Sequence, residues 1–500
     1  INIVEALDWI VIGVFALALI GIIVWVVKQK QNDSADYFLG GRDATWLAIG
    51  ASIFASNIGS EHLIGLAGAG ASSGMAMAHW EIQGWMILIL GWVFVPFYSR
   101  SMVYTMPEFL ERRYNSQSRT ILSVISLISY VLTKVAVTVY AGGLVFQQVF
   151  GIKELWGIDF FWIAAIGLVV LTALYTIFGG MKSVLYTSVL QTPILLLGSL
   201  IILVLGFKEL GGWDEMMRIC GAVTVNDQGN TMTELIRSND DPNFPWLGAL
   251  IGSAIIGFWY WCTDQFIVQR VLSGKNQKEA RRGTIFGAYL KLLPVFLFLI
   301  PGMIAFALHQ KYIGDGGFLP LLANGTPNAD AAFPTLVAKI LPAGVKGLVV
   351  CGILAALMSS LASLFNSSAM LFTIDFYKRF KPQTSEKKLV VIGQIATVVI
   401  VILGILWIPI MRSVGDVLYT YLQDVQSVLA PGIAAAFLLG ITWKKTSAQG
   451  GMWGLIAGMV IGLTRLGAKV YYSNATVTDS SLFKYLFYDL NWLFFCGWMF

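Results

Sequence analysis

The 500-residue chain is 57% hydrophobic and only 12% charged, with a mean hydropathy of +0.73, a balance that no water-soluble domain of this size carries. The formal net charge of +5 follows from where the basic loops fall, which argues against a nucleic-acid partner. Cys262, Cys351 and Cys496 lie in apolar segments and Cys220 stands alone in a polar connection; His62, His79 and His309 lack metal-ligand spacing; no phosphate-binding glycine loop is present. Neither a disulfide framework nor a zinc site is indicated, and the energy is expected to come from something other than ATP bound to this chain.

Segments of about twenty apolar residues, enough to cross roughly 30 Å of hydrocarbon, recur near 8–27, 46–72, 79–98, 119–150, 160–178, 185–207, 246–271, 283–308, 343–377, 389–411, 414–441, 450–468 and 483–500. The first lacks a basic start and a small-residue cleavage site, so it reads as a retained span. The last reaches Phe500 too soon to span, and the natural chain is expected to continue, with a further helix. Lys and Arg gather in alternate connections, among them Lys28, Lys30 and Arg42, then Arg100, Arg112 and Arg113, then Lys275 to Arg282, Lys378 to Lys388, and Lys444 with Lys445. Those connections are cytoplasmic. The N-terminus is then outside, in a multi-pass protein of the plasma membrane, or of the inner membrane if the cell is bacterial.

Within the second segment, Ala55-Ser56-Asn57-Ile58-Gly59-Ser60-Glu61-His62 places small polar residues and glycine at mid-depth. Backbone groups in hydrocarbon must be paired internally, so such a stretch belongs where a helix is broken and lines a cavity. A second interruption is expected around Gly252 to Tyr260. Further along, Glu81, Lys291 and Gln423 put polar side chains in apolar segments, while Lys134, Asp264 and Asp375 read as helix-to-helix partners or as termini near the interface. No nucleophile–base pair or metal set suggests an enzyme. Gly65, Gly68 and Gly70 suit close helix packing.

The stretches 57–62, Phe258-Trp259-Tyr260-Trp261-Cys262-Thr263-Asp264-Gln265, Tyr289-Leu290-Lys291, Met358-Ser359-Ser360-Leu361 and Tyr421-Leu422-Gln423, five matches in one order, resemble the sodium/glucose cotransporters of the solute:sodium symporter family. The resemblance implies an all-α polytopic membrane protein of about 13–14 spans with the leucine-transporter-like fold. It has two inverted five-helix repeats at 46–207 and 246–441. An extra N-terminal helix and loop occupy 1–45, an extracellular loop 208–245 and further helices 442–500.

Sodium wants about five or six hard oxygens, and carbonyls and hydroxyls release it more readily than a carboxylate cage. Ser359 and Ser360 offer hydroxyls; in isolation such a pair more often caps its own helix or joins two helices. The family resemblance places the co-transported sodium ion on Ala55, Ile58, Ala356, Ser359 and Ser360. It places the monosaccharide on Asn57, His62, Glu81, Tyr260, Trp261, Lys291 and Gln423, with Leu66, Trp80 and Tyr419 as gates. A neutral polyol suits that donor and acceptor set, although Glu81 with Lys291 also fits a purely structural ion pair. Ser188 stands where the family usually carries an aspartate linked to a further cation, which implies one sodium per sugar. Sodium/myo-inositol symport and a sugar-gated sodium-conducting sensor are the alternatives the resemblance leaves open.

Overall fold

In the computed structural model, which describes residues 4–29, 32–59, 61–322, 324–413, 418–474 and 480–500, the chain is built almost wholly of helices. Each predicted apolar segment falls on one. Among the described residues seven helices are long and apolar enough to cross a membrane, eight if the bent pair Gln83–Ser101 and Met106–Arg113 is one span. Breaks and widened turns cut the rest into shorter pieces, such as Trp46–Asn57 and Gln426–Thr442. One helix, Phe160–Leu210, runs for 51 residues with Gly180 at φ +60° inside it. That length is more than twice a bilayer crossing, so it holds the two spans expected at 160–178 and 185–207, joined at Gly180. A Cβ there would stand 2.3 Å from the Tyr37 carbonyl oxygen, and only glycine takes that φ without strain.

The helix Val345–Phe380 is the buried post of the molecule. Its N-terminus is anchored by Asp8 of the first helix, whose Oδ1 accepts from the Gly344 and Gly347 amides at 2.6 and 2.8 Å; a carboxylate there meets both free N–H groups and the helix dipole. The first broken helix consists of Trp46–Asn57, an extended Ile58 (φ −76°, ψ 113°), a widened turn at Glu61–Leu66 and Ala67–Ser72. Both halves lie on Gln277–Lys311 through glycines. A Cβ on Gly50 would stand 2.9 Å from the Gly283 oxygen, and one on Gly302 would stand 2.0 Å from the Ala67 oxygen. This backbone-to-backbone seam carries Lys291 to the break.

The second interruption lies later than the sequence suggests. Trp246–Phe258 continues through a widened turn at Trp259–Thr263, and the chain breaks only at Asp264 (φ −77°, ψ 129°), before Gln265–Leu272. Gly252 is a packing contact rather than a breaker, since a Cβ there would meet the Leu493 oxygen at 2.7 Å. Asp264 supplies the stop, its Oδ1 accepting from the Phe266 amide at 3.3 Å in the manner of an N-cap.

Candidate substrate and ion site

Asn57 ends the first half of the broken helix, His62 sits in the widened turn beyond the gap, and Glu81 comes from the short helix Ala78–Ile82. Lys291 follows directly on Gln277–Leu290. All four are buried and meet. Glu81 Oε2 lies 2.6 Å from Lys291 Nζ, and its Oε1 lies 2.9 Å from His62 Nε2. Lys291 Nζ also donates to Asn57 Oδ1 and lies 3.0 Å from His62 Nε2. Asn57 Nδ2 in turn donates to the Tyr260 hydroxyl at 3.0 Å, which ties the first broken helix to the second. The Lys291 ammonium lies 5.5 Å from the centre of a Trp261 ring, which itself meets Tyr260 edge-to-face at 4.9 Å. These groups line one narrow cavity together with Glu61, Gln83, Ile256 and Gln426. With about 20 Å³ of free volume it has room for about one water, so the polar groups close on one another in this conformation.

Beside the break, the Ser360 hydroxyl lies 2.7 Å from the Ser56 carbonyl oxygen and 3.0 Å from that of Ile58. Ser359, on the same helix, has its hydroxyl 3.5 Å from that of Ser188. Ala55, Ile58 and Ala356 are fully buried. A Cβ on Gly59 would stand 2.9 Å from Ser360 Oγ, so glycine lets the two elements close. The polar row continues: Ser363 Oγ is 2.7 Å from Ser56 Oγ, which accepts from Arg270 Nε at 3.0 Å.

Six of the seven substrate residues read from the sequence line this cavity; of the two serines read as ion ligands, Ser360 faces the break and the Ser359 hydroxyl faces Ser188. Leu66 is buried in the turn at Glu61–Leu66. Trp80, Tyr419 and Gln423 lie outside the residues whose side chains are described. Three further residues line the cavity: Glu61, read from the sequence only as part of the interrupted stretch, and Gln83 and Gln426, which the sequence reading did not single out. An intramembrane glutamine or glutamate is itself a signal, and all three stand within three residues of a residue that was recognised. Lys134 and Asp264 are partners, 2.8 Å apart, and Asp375 holds Arg119 at 2.8 Å with help from Thr105 and Ser123.

Residues 37–458 match the sodium:solute symporter family model. The chain belongs to the sodium:solute symporter family. It is a sodium-coupled symporter of the membrane. The symporter is 38% identical over 481 residues to human sodium/myo-inositol cotransporter 2, covering 93% of this chain and 70% of that one. It is 37% identical over 510 residues to sodium/glucose cotransporter 4 of Danio rerio, covering 98% and 76%. In structure it resembles a sodium-coupled sialic acid symporter in its substrate-bound outward-open state, with TM-score 0.80 and 22% identity over 99% of this chain and 96% of that one. A nucleobase-cation-symport-1 family transporter in a closed conformation matches at TM-score 0.52 and 15% identity, over 88% and 96%. The fold is thus the leucine-transporter-like one.

Proposed function

We propose that the symporter imports a neutral monosaccharide of the glucose or galactose type with one sodium ion by alternating access. The observation that carries this reading is the buried Asn57–His62–Glu81–Lys291 cluster, set between two broken helices and next to the Ser360 hydroxyl. A ring with many hydroxyls offers a donor and an acceptor at each carbon, so it can part Glu81 from Lys291 while leaving both hydrogen-bonded. Tyr260 and Trp261 present aromatic faces to its C–H surface; Gln423 and the gates Leu66, Trp80 and Tyr419 complete the proposed path.

Sodium sits on the Ala55, Ile58 and Ala356 carbonyls with the Ser359 and Ser360 hydroxyls, and its charge draws the broken helix onto Val345–Phe380. That closure shapes the sugar cluster one residue away at Asn57, so each ligand raises the affinity for the other. Moving one charge inward through 100 mV adds about 2.3 kcal/mol to the drive. A single ion fits Ser188 in place of a carboxylate, and the buried Arg270 guanidinium at the end of the serine row disfavours a second cation there. The same reading takes 46–207 and 246–441 as the inverted repeats and puts the N-terminus outside, in the plasma membrane.

A second substrate, myo-inositol, is favoured by the relatives that carry it in their names; it is a ring polyol of the same donor and acceptor chemistry. Uptake of radiolabelled glucose, galactose and myo-inositol into proteoliposomes under an inward sodium gradient tests the reading. Accumulation that disappears when potassium replaces sodium is the expected result and names the substrate. Current without accumulation indicates a sugar-gated sensor, and silence with all three rings removes the sugar assignment.

A further inference from the structure

Gln83 opens the turn Gln83–Trp85, two residues past Glu81. It is 8% exposed and lines the cavity shared by Asn57, His62, Glu81, Trp261 and Lys291. Glu81 is ion-paired to His62 and Lys291, whereas Gln83 Oε1 is buried with no hydrogen-bond partner among the described residues. Buried amide oxygens are seldom left so, because the lost hydration is not recovered. Facing it is Gly257, where a Cβ would stand 3.2 Å from Gln83 Oε1 and 3.4 Å from Gln83 Cβ; the bare backbone gives the amide its room. Trp261 is four residues beyond Gly257 and so on the same helix face. Its indole Nε1 is also buried, unpartnered among the described residues and at the same cavity.

We propose that Gln83 is a substrate-contacting residue that sets specificity, its side-chain oxygen accepting the proton of one ring hydroxyl whose own oxygen accepts from Trp261. A hydroxyl is the one common substrate group that gives a proton and takes another at the same atom; a carboxylate cannot answer the amide oxygen, and an ammonium cannot answer the indole. The pair therefore selects for an alcohol at one ring position. A site built to bond a hydroxyl discriminates strongly against the analogue lacking it. This inference rests on the sugar or polyol reading above.

The test uses the full chain in proteoliposomes under an inward sodium gradient. The unmodified protein is first assayed with glucose, galactose and myo-inositol, so failure of the sugar reading shows before any variant is made. Gln83→Leu is then compared with it across the monodeoxy analogues of the transported ring. The expected result is a half-saturation raised about tenfold for the parent ring, with one particular hydroxyl whose removal costs the variant, where only the bond from Trp261 is left to lose, about tenfold less than it costs the unmodified protein. Every other deoxy analogue loses the same factor in both proteins, and the sodium half-saturation does not move. Unaltered half-saturation in Gln83→Leu, or a loss spread evenly over every analogue, overturns the proposal and leaves Gln83 a packing residue. Should Gln83→Leu not give monodisperse protein, Gly257→Ala crowds the amide without removing it. It has to reproduce the single-hydroxyl pattern at about threefold, and its failure to do so overturns the proposal equally.

Discussion

The two broken helices solve one problem in opposite ways. At the first break the carbonyls of Ser56 and Ile58 face a hydroxyl from another helix, Ser360, across a contact that only Gly59 permits. At the second, the break is sealed by its own cap and a buried ion pair: Asp264 caps Phe266 and is clamped at 2.8 Å by Lys134 of another helix, whose ammonium also lies over Tyr130, Tyr260 and Phe266 at 4.7 to 5.0 Å. A break satisfied by one neutral hydroxyl responds to whatever comes between the two helices. A break satisfied by a buried ion pair and three aromatic rings is a fixed joint. On the proposed reading the first break senses the ion and the second gives mechanical support.

Removing one half of the clamp should have the largest effect. Lys134→Met strands Asp264 in the interior, and loss of one partner of a buried pair costs about 3–5 kcal/mol; thermal denaturation in detergent should show a clear fall in Tm, with the sodium half-saturation of the surviving protein unaltered. The double variant Lys134→Met, Asp264→Leu should recover part of that loss, and a Lys134→Met protein as stable as its parent would end the idea of a clamp. Next comes Gly302→Ala, which drives a methyl into the Ala67 carbonyl and pries the outer half of the first broken helix from its seat. Overpacking of this kind costs about 1–3 kcal/mol, read as lowered Tm together with weakened substrate uptake.

Ser360→Ala should raise the sodium half-saturation roughly tenfold, about 1.4 kcal/mol, while uptake at saturating sodium persists; a sodium titration giving the parental value would show that the first break is not the ion site. The smallest effect belongs to a residue remote from both breaks. Cys220, in the helix Trp213–Gly221, is fully buried, and burial pushes its thiol up to about 12. The folded protein holds that proton more tightly than the unfolded chain does. This stabilisation is intact below the ordinary thiol range and is lost as pH climbs from about 8.5 towards about 12. Maleimide labelling of Cys220 at pH 7 should be negligible until the protein is unfolded.

Much of this was legible in the residues. The run from Ala55 to His62 announced a broken helix because no lipid-facing helix tolerates it, and the structure breaks there. The second break was misplaced because Gly252 reads as a breaker, whereas it seats the Leu493 backbone; Asp264 inside an apolar run was the better stop signal. The pairing of Lys134 with Asp264 spans 130 residues, and no local pattern chooses between Asp264 and Asp375 as its partner. Gln83 went unread because its meaning comes from Gly257 on a distant helix.

The hydroxyl of Ser360 stands at the edge of the place that, on the proposed reading, the ion takes. Its proton is shared by the Ser56 and Ile58 carbonyls, the second of them in the proposed ion set, and it keeps them from facing an apolar interior unaccompanied. Admitting sodium then takes a turn about one C–O bond, swinging the proton aside and offering a lone pair instead. On that reading the first step of exchange is a bond rotation, and helix movement follows once the occupant has changed.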